Sequence, residues 1–298
     1  MKNFSTWMIV MFMVMFWVFR VLVAVMPEFG TTVGDFVPLN SQVEIILSFV
    51  VLVCMVLVVK RKLIGAIIYA VAYGMYFGVD LFNHIGAIAT FYIIALVLRL
   101  MTLLIGNNYP ELRENYVFQL STGLGPIVGA LIAMAVFKRK TEYTLVGKSV
   151  WKSVATIAIP CVVFGIIGGL DTGILCLLAF VYGLLEEYGW RGFLQYELRK
   201  LPVWQYVLII TVMWFLWHLD LDQRNLLIFF PILLFASWGI GKVASDTHSL
   251  LFCAAFHGIV NFSKRGLLAD ASFLLAFIGV IIFWIVLWYF IHMPAKKR

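Results

Sequence analysis

What most constrains this chain is a succession of apolar runs, each 17–23 residues long and nearly free of charge. At ~1.5 Å rise per residue, such a run crosses the ~30 Å hydrocarbon core of a bilayer as an α-helix. In lipid every backbone N–H and C=O needs an internal partner, so helices are the form these runs must take. Composition agrees: 63% of the residues are hydrophobic and 12% charged, where a soluble domain carries about 25% charged residues. The expected fold class is all-α, a polytopic membrane bundle of about 10–11 hydrophobic segments. They lie near 5–26, 42–59, 63–80, 84–106, 119–137, 151–168, 172–187, 203–219, 225–243, 248–263 and 270–292. The first contains Arg20, lacks a small-residue cleavage site and is too long for a signal peptide, so it is read as a membrane helix.

The net charge of +7 is gathered into clusters at the ends of apolar runs: Lys60–Lys62, Lys138–Lys140, Arg199-Lys200 and Lys296–Arg298. Positive charge beside cytoplasmic helix ends accounts for them, and no nucleic-acid partner is expected. With Lys138–Lys140 in the cytoplasm, helix counting puts Arg199-Lys200, Lys242 and Lys296–Arg298 there as well. In this second half only Lys264-Arg265 falls on the far side; three apolar segments separate Lys62 from Lys138, so those two clusters cannot both be cytoplasmic if all three segments span. The four cysteines lie singly in apolar segments, with no metal spacing.

Chemistry is unevenly distributed. Residues 1–118 read as transmembrane helices of unclear role, with Arg20, Glu44 and Arg99 as the polar intramembrane exceptions. Residues 119–298 hold nearly all the candidate chemistry. The run from Ile174 to Leu185 ends in two carboxylates, Glu186 and Glu187. Residues four apart share a helix face, so Glu187 can pair with Arg191 and contribute mainly to structure. Glu186, about 100° round the helix, is left for chemistry. By the same spacing Trp214 can wall His218, and His257 lies beside Asn261, with Gly258 leaving room for close approach. His84, His248 and His292 fall at expected turns or membrane edges and read as interfacial.

Leu201-Pro202 breaks the helix between Glu186 and His218, which suggests a hairpin. Glu186 is 15 residues before Leu201 and His218 is 17 after it, so both lie roughly 23–26 Å from the turn. His257 lies only ~15 Å beyond the next turn, near Thr247. That mismatch closes if residues 188–200 run partly along the membrane interface. A carboxylate, two imidazoles and an amide then suffice to activate water and steady a tetrahedral intermediate. No serine or cysteine is placed for a triad.

Glu186-Glu187-x-x-x-Arg191, Trp214-x-x-x-His218 and His257-x-x-x-Asn261 together resemble the three motifs of the CAAX protease and bacteriocin-processing (CPBP, or Abi) intramembrane proteases. Trp190 and Gly192 fit the common EExxWRG form, and Gly125-Pro126 resembles the start of that core. The second motif departs from the usual FxxxH: Trp214 holds the aromatic position and Phe215 follows it. The resemblance covers about residues 119–292. It implies Glu186 as general base, His218 beside the water, His257 and Asn261 completing the site, and Glu187, Arg191, Trp214 and Trp190 supporting it.

The resemblance further implies an endopeptidase acting on a membrane-embedded or lipidated protein or peptide, in CAAX-type processing or in peptide and bacteriocin maturation and immunity. A zinc ion held by Glu186, His218 and His257 is one way to activate water, and a metal-free glutamate mechanism is the other; no cofactor is required by the second. A non-catalytic immunity or scaffold protein and an ion-coupled transporter are the competing classes; paired broken helices or inverted repeats would favour the transporter, and none is evident. The expected location is the multi-pass plasma membrane of a bacterium or archaeon. The site is expected to open to the cytoplasm through a wet funnel along the polar segment 188–196.

Overall fold

The computed structural model describes residues 2–29, 40–60, 63–220, 222, 225–264 and 266–292. Its helices are α1 (Lys2–Val25), α2 (Ser41–Val59), α3 (Leu63–Asn108), α4 (Tyr116–Ser121), α5 (Leu124–Val136), α6 (Val150–Gly168), α7 (Leu170–Glu187), α8 (Val203–Trp217), α9 (Phe230–Thr247), α10 (Leu250–Ser263) and α11 (Ala271–His292). Among the described residues no strand forms, and a single isolated backbone bridge joins Thr144 and Ser249. Six helices among the described residues are long and apolar enough to span a membrane, and four shorter apolar helices accompany them. The protein is an integral membrane helical bundle. Its many exposed large side chains, such as Ile166, Leu275 and Val162, suit lipid, which is as apolar as they are.

The segments expected at 63–80 and 84–106 form the single helix α3. Asp80, Asn83 and His84 look like a break in sequence, but the stretch has no proline, so nothing stops the i→i−4 ladder. His84 therefore lies within a helix and not at a turn. The side chain of His292 and the clusters at Arg61-Lys62 and Lys296–Arg298 fall outside the described residues.

Two compact units divide within α3, Met1–Ile85 and Gly86–Arg298. That division concerns packing; the one at residue 118 concerned where candidate chemistry lies. In the first unit Val10, Met13, Val51, Cys54, Val58 and Tyr73 form the core. Arg20 and Glu44, both buried, form an ion pair there, and the Tyr76 hydroxyl donates to Glu44 Oε1 at 2.9 Å. Two of the three polar exceptions in the first 118 residues thus satisfy one another, as buried charges must.

In the second unit small residues set the helix crossings. A Cβ on Gly125 would meet the Ala95 carbonyl at 2.6 Å, and one on Gly129 the Phe91 carbonyl at 2.4 Å, so the Gly-x-x-x-Gly face of α5 lies directly on α3. A Cβ on Gly183 would meet the Ala254 carbonyl at 2.8 Å, and one on Gly258 the Ala179 carbonyl at 2.7 Å. Each glycine thus seats the other helix, and α7 and α10 touch backbone to backbone one turn from Glu187 and beside His257.

The loop after α5 fastens the far end of this pair. Thr144 N–H donates to the His248 carbonyl at 3.0 Å, and Leu250 N–H to the Thr144 carbonyl at 2.9 Å. Gly147 closes over this turn at φ 53°, where a Cβ would lie 2.2 Å from the Thr247 carbonyl; only glycine fits.

Candidate active site

Helix α7 does not end at Glu187. It passes into a π-helical segment, Tyr188–Gln195, and one further turn, Tyr196–Leu198. π-Helical turns are rare and concentrate at functional sites. Widening the helix here turns Trp190, Arg191, Phe193 and Leu194 inward, all of them buried. Gly189 permits it, because a Cβ there would lie 2.6 Å from the Pro126 carbonyl on α5. Trp190 packs edge-on to Phe91 and Trp217 and tilted against Trp214, forming the floor beneath the site.

The burial of residues 189–195 corrects one expectation: no wet funnel runs along 188–196. The segment is polar in sequence, yet its guanidinium is taken up by Glu187 and the Ala236 carbonyl, and the Trp190 ring by its aromatic neighbours.

Glu186 and Glu187 are both buried and have separate partners. Glu186 Oε2 accepts from the Trp214 indole Nε1 at 2.9 Å and lies 3.9 Å from His257 Nε2. Glu187 Oε1 accepts from Arg191 Nη1 at 3.0 Å and faces His257 Nδ1 at 2.7 Å. Arg191 also donates to the Ala236 carbonyl at 3.3 Å, and its guanidinium carbon stands 4.6 Å from the Trp214 ring centroid. The pairing of Glu187 with Arg191 was legible from spacing. Its grip on His257, 70 residues away, was not.

These partners fix both imidazoles. A carbonyl only accepts, so His218 Nδ1, 2.8 Å from the Trp214 carbonyl, carries the proton and leaves Nε2 free. Glu187 does the same to His257: Nδ1–H donates to the carboxylate, and Nε2 turns toward Glu186. Such an arrangement of imidazole and backing acceptor is typical of working histidines. His218 is further boxed by Trp217 at 5.2 Å and Phe229 at 4.7 Å between ring centroids.

Glu186, His218, His257 and Asn261 line one cavity of about 510 Å³, together with Tyr182, Trp214, Phe229 and Lys264. Trp214 therefore does more than form an aromatic wall: its N–H holds Glu186, a role that FxxxH proteins, with phenylalanine there, could not assign to this position. Tyr182, one turn before Glu186 on the same face of α7, lines the same cavity as the carboxylate. Sequence reading missed it, although its i, i+4 spacing to Glu186 was the available signal. From His218 and Lys264 the cavity continues as an apolar groove between α9 and α10, past Ile232, Ala236, Gly239 and Ile240 to Val243 and Trp288.

For zinc, Glu186, His218 and His257 offer the right atom types. Among the described residues, however, no three His, Cys, Asp or Glu side chains gather closely enough to hold a metal ion. As they stand they do not make an assembled metal site, and no step below passes through one.

Fold and site together define a polytopic membrane protein with a buried carboxylate–imidazole centre. Residues 168–263, which contain all four of these side chains, match the family model of type II CAAX prenyl endopeptidases, Rce1-like, in keeping with the family the three motifs resemble. No curated protein and no solved structure matches the chain.

Proposed function

We propose that this protein is an intramembrane endopeptidase that cleaves a membrane-associated, lipidated peptide or protein, with Glu186 as the general base. The observation that carries the reading is the division of labour between adjacent carboxylates. Glu187 is occupied by Arg191 and His257, while Glu186, held by the Trp214 N–H, faces the cavity.

A water lodged between Glu186 and His218 donates one O–H to the carboxylate and the other to the His218 Nε2 lone pair. Its oxygen attacks the scissile carbonyl carbon as Glu186 takes the proton, and the carbonyl π pair moves onto oxygen. The Asn261 amide donates to that oxyanion, an interaction worth ~10²–10³ in rate where it has been measured. His257, when its Nε2 also carries a proton, adds a second donor, and the Glu187 carboxylate behind Nδ1 compensates the charge. Glu186 then returns its proton to the leaving nitrogen as the C–N bond breaks. The apolar groove between α9 and α10 suits the substrate's lipid or transmembrane portion.

The test is cleavage of an internally quenched peptide bearing a prenylated cysteine near its C-terminus, by purified protein in detergent. Glu186→Gln is expected to lower kcat by at least ~10²-fold, the scale of general-base loss, with the protein still folded. A zinc chelator is expected to leave the rate unchanged. Full activity in Glu186→Gln would refute the assignment and favour a non-catalytic immunity or scaffold protein.

A further inference from the structure

Arg99 lies within the span Phe82–Asn108, nine residues or ~13 Å from its C-terminal end. The other intramembrane arginines have carboxylates: Arg20 has Glu44 and Arg191 has Glu187. Among the described residues Arg99 has none within ion-pair distance, and its buried Nε has no hydrogen-bond partner. Its guanidinium is instead stacked over Trp217, 5.0 Å from the ring centroid. An arginine at this depth without an anion is costly and marks a site.

Two cavities meet at Arg99. One, of about 350 Å³, is shared with Arg113, Gln119, Thr122, Tyr182 and Asn261. The other, of about 480 Å³, is shared with His218, Asp220 and Lys264. Asp220 makes no ion pair with Arg99, and Arg113 is already engaged by the Gly106 carbonyl and Asn107. The guanidinium fork of Arg99 is thus offered to spaces that contain catalytic candidates at their inner ends.

We infer that Arg99 is a subsite for a carboxylate carried by the peptide substrate, a reading that rests on the peptidase function above. The Trp217 ring, 5.0 Å from Arg99, is 5.2 Å from the His218 ring. The guanidinium therefore stands no more than about 10 Å from the His218 ring, which at ~3.3–3.6 Å per extended residue is a reach of at most about three residues of bound peptide. A planar fork suits bidentate carboxylate capture. Lipid phosphate also fits a fork, but it resides at headgroup level, whereas Arg99 is well inside its span. The carboxylate has two sources, the chain end or an Asp or Glu side chain. Arg99 lies outside the segment matched by the family model.

Binding separates the subsite from catalysis. Three fluorescent prenylated peptides are titrated onto the Glu186→Gln protein: one with a free C-terminus, one amidated, and one amidated with aspartate three residues beyond the intended cleavage site. One carboxylate-bearing peptide is expected to bind ~10–100-fold tighter than the neutral amide, the range for losing a partner of a charged hydrogen bond. Tight binding of the free-acid or the aspartate peptide names the source. Adding Arg99→Gln is expected to erase the difference while leaving the amide's affinity unchanged, and Arg99→Lys to keep part of it. Equal affinity of all three peptides, weakening of all three alike by Arg99→Gln, or failure of any to bind would overturn the subsite. So would discrimination that appears only with added anionic lipid. Discrimination without cleavage by the Glu186 protein would instead leave the subsite standing and remove the peptidase reading.

Discussion

Glu187→Ala removes a carboxylate that is fully buried and held by two partners. Two consequences follow, and their sizes differ. Arg191, itself fully buried, keeps only the long bond to the Ala236 carbonyl and the face of Trp214. Breaking one side of a buried ion pair costs about 3–5 kcal/mol, because the remaining charge stays in low dielectric without compensation. At ~2–4 °C per kcal/mol for a chain of this class, the melting temperature should fall by about 6–20 °C. The second consequence is local: His257 loses the acceptor that fixes its tautomer, so residual activity should drop even in the folded fraction. Melting in detergent, followed by tryptophan fluorescence, reads the first; peptide cleavage normalised to folded protein reads the second. Arg191→Gln combined with Glu187→Gln should cost less than the sum of the single variants, since they share one interaction. Unchanged melting with abolished activity would show that Glu187 is the base, and the roles of the two carboxylates would have to be exchanged.

Trp214→Phe keeps the ring but deletes the N–H that holds Glu186; kcat should fall ~10–100-fold, the value of one hydrogen bond to a charged group, with KM nearly constant. An unaltered kcat would mean that the indole bond does not position Glu186. Gly183→Ala places a Cβ 2.8 Å from the Ala254 carbonyl, so it should separate α7 from α10 and lower both melting temperature and activity. Gly239→Ala, with nothing within 4 Å, should leave the melting temperature unchanged or raise it, and equal effects of the two would refute the close-crossing argument. Lys200→Cys and Lys264→Cys, placed singly, should react with a membrane-impermeant thiol reagent from opposite faces of the membrane. Labelling from one face would contradict the course of α8 and α10.

The fold class was legible because lipid leaves so few choices. Long uncharged runs must be helices, and the structure supplies them. The pairs at i, i+4 were legible for the same reason that helix geometry is local: Glu187 with Arg191 and Trp214 with His218 need no knowledge of the fold. What spacing could not supply was contact between helices. The Glu187–His257 bond depends on Gly183 and Gly258 lying backbone against backbone. The indole bond from Trp214 to Glu186 depends on where α8 crosses α7. Gly258 gave half of that signal, as room for close approach, but not the identity of the helix that would use it. The continuity of α3 was missed because Asp80, Asn83 and His84 were taken for a turn, although polar side chains do not interrupt the i→i−4 ladder and no proline stands there to do so.

The misplaced funnel comes from a more general error, the assumption that polarity in sequence marks exposure to water. Residues 189–195 include polar side chains and are buried, because the π-helical turn directs Arg191 onto Glu187 and Trp214, and Gln195 onto the Gly241 carbonyl at 2.9 Å. The cavity is instead bounded by His218, at the C-terminal end of α8, and Lys264, just past the C-terminal end of α10. Arg199-Lys200 precedes the other end of α8, and a 15-residue helix separates it from His218, a rise of ~22 Å. Basic residues that orient the chain and polar residues that admit water therefore occupy opposite ends of the same helix. If the positive-inside rule places Arg199-Lys200 in the cytoplasm, the mouth beside Lys264 serves the other face, and the pair of cysteine variants reads that directly.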